Sequence, residues 1–300
     1  MALGPNCAAG ASRPTNWSLS LAALEEGPAY NPPAWPRPST PVTVLQLSDL
    51  HLQLGYKEGA PVNCDYPLCC QPDLTTNQTV EGGGAGRGAR RWGEYTCDLP
   101  PWTLEASLAA IARSHPAIDY IILTGDLPAH DIWRQSKAAN TEITQVVAAA
   151  LHKHFPDTPV LPAIGNHESF PVNLFPDPSR PGEEASSWLY ASTAKYLGRA
   201  LQPAERAQFA QAGFYAHTVL PGLTVISLNT NFCNNLNLWL LPSPADPAGQ
   251  LTWLVERLLE AEAVGTRVHI ISHIPPGSNS CLSKYVLWPR NYQLLSSLVK

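Results

Sequence analysis

The sequence predicts an α/β fold. Three features carry that prediction: short apolar runs that end in polar residues, amphipathic stretches of helical period, and the alternation of the two along the chain. Residues 42–47 are apolar and β-branched and end at Ser48 and Asp49, the pattern of a buried strand delivering polar groups at its carboxyl end. The same arrangement recurs at 118–123 before Thr124, Gly125 and Asp126, at 160–164 before Gly165, Asn166, His167 and Glu168, and at 268–271 before Ser272 and His273. Helical patterns occupy 103–114, 141–154, 186–200 and 248–263, the last with Leu251, Leu254, Val255, Leu258 and Leu259 on one stripe. Two more strands are expected at 214–218 and 223–228, around a Pro-Gly turn. Loops of such a fold converge over the carboxyl ends of the strands, so four polar strand ends predict one shared site.

Composition narrows the class. With 300 residues, 44% apolar and 14% charged, the chain can bury one large core. A net charge of -5 with no polybasic stretch gives no field for nucleic acid or anionic lipid, so neither is expected as a charge-driven partner. No apolar run approaches the ~20 residues that a membrane-spanning helix needs. Residues 1–41 mix Pro, Ser and Ala without periodicity and read as an extended linker, and the Gly-rich tract 81–89 reads as a surface loop. The opening residues lack the charged start and apolar core of an export signal.

Seven cysteines, Cys7, Cys64, Cys69, Cys70, Cys97, Cys233 and Cys281, point to disulfides and an oxidising compartment. A zinc ribbon is the rival, but adjacent Cys69 and Cys70 suit one tetrahedral ion poorly. The sequons at Asn16 and Asn77 agree with a secreted, glycosylated chain.

The candidate chemistry sits at the strand ends. Asp49 and His51 are two residues apart, so an extended backbone aims both at one point. Asp126 follows a glycine and offers two carboxylate oxygens able to bridge two cations. Asn166 adds an amide oxygen and His273 another imidazole. Taken singly, Asp49 suits a turn, Asn166 a helix cap and His273 a core; their shared place at the ends of buried strands favours a site.

The order Asp-x-His, Gly-Asp, Gly-Asn-His-Glu, then His resembles the calcineurin-like metallophosphoesterases. That resemblance implies a four-layer αββα sandwich, two sheets flanked by helices, over residues 42–300. Denser matches at 65–70, 92–95, 124–131, 166–169, 231–233 and 273–277 are similar to the branch that hydrolyses sphingomyelin to ceramide and phosphocholine. Residues 1–41 resemble the stretch that joins a saposin-type domain, which meets the membrane, to the catalytic domain of that branch.

The resemblance implies two Zn²⁺ ions. Asp49, His51 and Asp126 would hold one, and Asp126, Asn166 and His273 the other, with a metal-bridging hydroxide as nucleophile. His167 would protonate the leaving group and His130 would help to position it. It also implies the disulfides Cys64–Cys69, Cys70–Cys97 and Cys233–Cys281, leaves Cys7 to a partner in the saposin-type domain, and implies a lysosomal or secreted location. His115, His152, His154 and His217 are left as structural or solvated, and Trp102, Trp133, Trp239 and Trp288 are conceivable lipid contacts.

The family pattern closes with Gly-His-x-His, which would add a histidine to each zinc, and the sequence reaches Lys300 without it. The expectation is therefore a chain truncated at its carboxyl end, with weak metal affinity and little turnover. Full zinc occupancy and normal diesterase turnover of the 300-residue chain would contradict it. The alternatives are a related secreted phosphodiesterase acting on nucleotides and a non-catalytic secreted protein that retains the fold.

Overall fold

The computed structural model describes residues 41–74, 88–180, 182, 185–241, 246–275 and 278–281. Cys7, the sequons at Asn16 and Asn77, the proline-rich start, most of the Gly-rich tract and Trp288 lie outside the described residues.

Among the described residues six strands form two sheets. β1 (Val44–Leu47), β2 (Tyr120–Leu123) and β3 (Val160–Pro162) are parallel, in that order, with Val44 opposite Tyr120 and Ile121 opposite Val160. β4 (Tyr215–Leu220) and β5 (Leu223–Ser227) form an antiparallel hairpin, and β6 (Arg267–Ile271) adds parallel to β5. The helices are α1 (Pro101–Ser114), α2 (Lys137–His154), α3 (Ser187–Tyr196), α4 (Pro203–Ala212) and α5 (Gln250–Val264).

The alternation of side chains along a strand builds the layers. All four residues of β2 are buried: Ile121 and Leu123 pack with Leu104 and Leu108 of α1 and Val147 and Leu151 of α2, whereas Tyr120 and Ile122 pack with Leu161, Tyr215 and Val225. The second sheet repeats the device, with Val225 facing the first sheet and Ile226 facing Leu251 and Leu254 of α5. The result is helices, sheet, sheet, helix: the αββα sandwich.

Several helix boundaries differ from the sequence pattern. α2 starts at Lys137 because Ser136 caps it, its side chain accepting from the N–H of Ala139 at 3.1 Å. The 186–200 stretch divides into α3 and a 3-10 turn at Gly198–Ala200. α4 was not anticipated, since only Phe209 and Ala212 are buried and no apolar stripe shows. Its legible signals are Pro203 in the first turn and the reciprocal cap between Gln202 and Glu205.

Among the described residues three disulfides form, Cys64–Cys69, Cys70–Cys97 and Cys233–Cys281, the pairing the resemblance implies. The last ties the loop after β5 to the segment after β6. Trp102 and Trp239 are half-buried, and Trp133 stacks on Tyr66 with ring centroids 5.4 Å apart.

Candidate metal centre

After β1 the chain stays paired to the turn that follows β2. The N–H of Asp49 donates to Gly125 O at 3.0 Å, that of His51 to Asp126 O at 3.0 Å, and that of Leu52 to Leu127 O at 2.7 Å. Asp49, His51 and Asp126 have φ of 53°, 38° and 57°, the left-handed region that costs a non-glycine residue about 1–3 kcal/mol. The cross-loop pairing holds them there. Ligand-type atoms of all three then lie within 4.8 Å of one another.

Asp126 is the hub. Its Oδ2 lies 3.7 Å from His51 Nε2 and 3.4 Å from His273 Nε2, and its Oδ1 accepts from the backbone N–H of His167 at 2.9 Å. Asp49 Oδ1 is 4.0 Å from His51 Nε2 on one side, and Asn166 Oδ1 is 2.9 Å from His273 Nε2 on the other. The structure therefore brings Asp49, His51, Asp126, Asn166 and His273 to one place, as two groups that share a buried carboxylate.

Both imidazoles are oriented from behind. His51 Nδ1 donates to Pro128 O at 2.8 Å and His273 Nδ1 to Thr124 O at 2.8 Å, which turns each Nε2 toward Asp126. Nitrogen and oxygen donors without thiolate, in two sets around one carboxylate, fit a pair of divalent cations.

Charge in the site is tightly linked. Burial disfavours the charged ring of His273, but the Asp126 carboxylate outweighs it and raises the pKa to about 9. Asp126 is shifted the other way: burial opposes its charge, and the hydrogen bond to His273 overcomes this and lowers the pKa. A cation taking Nε2 of His273 must displace its proton. Because the folded pKa is raised, that proton is held throughout the range below about pH 9, so metal affinity is expected to rise with pH up to that point. Calorimetric metal titrations in two buffers of unlike ionisation enthalpy check this; identical heats near neutral pH would contradict proton release.

Beneath the hub Glu168 is buried, its Oε2 accepting from the N–H of Asp126 at 3.1 Å and its Oε1 from that of Leu127 at 2.8 Å. Burial, reinforced by the negative charge of Asp126, pushes its pKa up to about 7. Glu168 fixes the backbone of Asp126. Gly165 makes room for this, since a Cβ there would run into the main chain of Asp126 and lie 2.6 Å from Glu168 Oε2.

His130 and His167 stand on the His51 side. The ring centroids of His51 and His130 are 3.9 Å apart, with His167 4.9 Å from the first and 4.7 Å from the second. Asp98 holds His130 twice, accepting from its backbone N–H at 2.6 Å and lying 2.9 Å from Nδ1. That hydrogen bond raises the pKa of His130 against burial, whereas burial lowers that of His167. Both rings line an open cavity of about 500 Å³ together with Tyr95, Asp98, Ile132 and Asn173.

Asp98 and Glu168 were missed as participants. Glu168 stands within the Gly-Asn-His-Glu run, which hinted at it. Nothing beside Asp98 reveals a partner 32 residues away.

The calcineurin-like phosphoesterase family matches residues 42–296. The chain is 44% identical over 280 residues to sphingomyelin phosphodiesterase of Bos taurus, covering 93% of this chain and 43% of that protein. It is 44% identical over 284 residues to sphingomyelin phosphodiesterase of Homo sapiens, covering 93% and 42%. It thus spans less than half the length of these relatives. Among solved structures, a dimetal phosphatase from Danio rerio shows a TM-score of 0.47 and 16% identity, covering 86% of this chain and 77% of that one. By the match over nearly all of residues 42–300, with a shared carboxylate between two imidazoles at its strand ends, this chain belongs to the calcineurin-like phosphoesterases.

Proposed function

We propose that this chain is a zinc-dependent phosphodiesterase domain that hydrolyses sphingomyelin to ceramide and phosphocholine. The observation that carries the reading is the Asp126 carboxylate lying between His51 Nε2 and His273 Nε2. The names of its relatives at 44% identity supply the substrate class. In this reading residues 42–300 are the catalytic domain, and residues 1–41 lead from a saposin-type domain that meets the membrane.

Asp49, His51 and Asp126 would hold one Zn²⁺, and Asp126, Asn166 and His273 would hold the other. When bound, such a pair supplies Lewis acidity and lowers the pKa of coordinated water to about 7. His130, fixed by Asp98 and biased toward its cationic form, sits beside the phosphate and orients the leaving group. A water oxygen bonds to phosphorus as the bond to the ceramide oxygen breaks, and His167 donates the proton that the departing oxygen takes up. Its pKa is lowered by burial, so its acid form is populated in acidic solution, as suits a lysosomal or secreted enzyme. The three disulfides support an oxidising compartment, and Asn16 and Asn77 are the proposed glycan acceptors. No described helix is long and apolar enough to cross a membrane.

The test is substrate competition on the zinc-loaded chain. Phosphocholine release from sphingomyelin is expected to exceed hydrolysis of nucleotide diesters, a ratio that can be read even at low turnover. His167→Gln is expected to lower kcat by about a hundredfold to ten-thousandfold with little change in KM. Preferred hydrolysis of nucleotides would replace the lipid by the alternative substrate, and an unchanged kcat would remove His167 as the proton donor.

A further inference from the structure

We infer, resting on the reading of the substrate as a bilayer lipid, that residues 234–241 form a membrane-contact knuckle that seats the pocket mouth on a phospholipid surface. Residues 229–241 contain no charged side chain. Within them Leu236, Leu238 and Leu241 are 60%, 65% and 64% exposed, where a soluble surface usually scatters such residues singly. The knuckle is held from inside. Asn237 is buried, accepts from the N–H of Phe175 at 3.1 Å and of Trp239 at 3.3 Å, and donates to Phe175 O at 2.9 Å and Asn231 O at 3.0 Å. The Cys233–Cys281 disulfide closes its base. Apolar groups presented this way lose little conformational freedom on burial.

Two observations select a bilayer as the occupant. The Arg180 guanidinium lies 4.2 Å from the Trp239 ring centroid and makes no ion pair with a carboxylate among the described residues. Aliphatic side chains beside an indole and an arginine match the depth profile of a membrane: acyl chains, interface, phosphate. The knuckle also adjoins the pocket. Asn234 Nδ2 donates to Asn173 Oδ1 at 3.1 Å, and Asn173 lines the cavity with His130 and His167. Exposed Tyr95 and Ile132 continue the apolar rim of that cavity. Leucines inserted to acyl depth would therefore hold the cavity at headgroup level, where the diester of a bilayer lipid lies.

The test compares Leu236→Ser, Leu238→Ser and Leu241→Ser combined with Val264→Ser, a control at the end of α5 that is 76% exposed. Sedimentation with phosphatidylcholine–sphingomyelin vesicles is measured beside hydrolysis of soluble bis(para-nitrophenyl) phosphate. The triple variant is expected to lose vesicle binding about tenfold or more while its rate on the soluble diester equals wild type; the control keeps both. Absent vesicle binding by wild type, undiminished binding by the triple variant, or equal loss in the control would overturn the inference. Should the triple variant melt well below wild type, Arg180→Glu replaces it. Weaker binding to vesicles containing phosphatidylserine is then the supporting result, and unchanged binding the refuting one. Wild-type binding through these leucines without cleavage of sphingomyelin would refute the substrate reading and leave the knuckle standing.

Discussion

Asp126→Asn is expected to lower diesterase turnover by about a thousandfold or more and to reduce bound metal from two ions to at most one. Asparagine keeps the shape and can still accept from the N–H of His167 at the Oδ1 position, so the loop geometry should survive. What disappears is the second anionic oxygen, the atom 3.7 Å from His51 Nε2 and 3.4 Å from His273 Nε2. An amide offers a neutral oxygen or an N–H there, and neither can bridge two cations. Metal content by elemental analysis and steady-state turnover check this together. Two equivalents of tightly held metal in the variant would remove Asp126 as the bridge and the dimetal reading with it.

A large stability effect is expected at Gly165. Its alanine variant places a methyl group against the main chain and carboxylate of Asp126 and 2.6 Å from Glu168 Oε2. Its surroundings are backbone and a buried hydrogen-bonded carboxylate, so little can yield. The expected cost is about 3 kcal/mol or more, which for a domain of this size lowers Tm by roughly 6–12 °C. Gly222→Ala is the contrast. Its φ of 75° is strained for alanine, but nothing lies within 4 Å, so the cost should stay near 1 kcal/mol. Thermal melts followed by circular dichroism decide the comparison. Equal Tm for Gly165→Ala and wild type would show that the two loops are not locked together.

Much of the fold was legible because burial writes a period into sequence. Four residues of β2 buried on both faces must be a continuous apolar run, and the stripe of α5 must recur every three or four positions. Helix ends followed less well. The start of α2 depends on one serine cap, and α4 is held by so few buried residues that no periodicity appears. Ser136, Pro203 and the Gln202–Glu205 cap were readable by capping rules, where hydrophobic pattern was silent.

The site divides in the same way. Ligand types at four strand ends could be read locally, because each is a side chain next to a buried strand. The supporting groups could not. Asp98 reaches His130 across 32 residues, Asn234 reaches Asn173 across 61, and the carbonyls of Thr124 and Pro128 have no side-chain identity that a sequence could display.

By itself, then, the sequence determined the α/β class, the candidate ligands and the preference for nitrogen and oxygen donors, since these follow from residue type and spacing along one strand or helix. Only the tertiary structure decided that Asp126 Oδ2 lies between the rings of His51 and His273, that Glu168 braces the Asp126 backbone and that the exposed leucines adjoin the pocket. Those facts are distances between segments far apart in the chain, and packing two sheets face to face sets them.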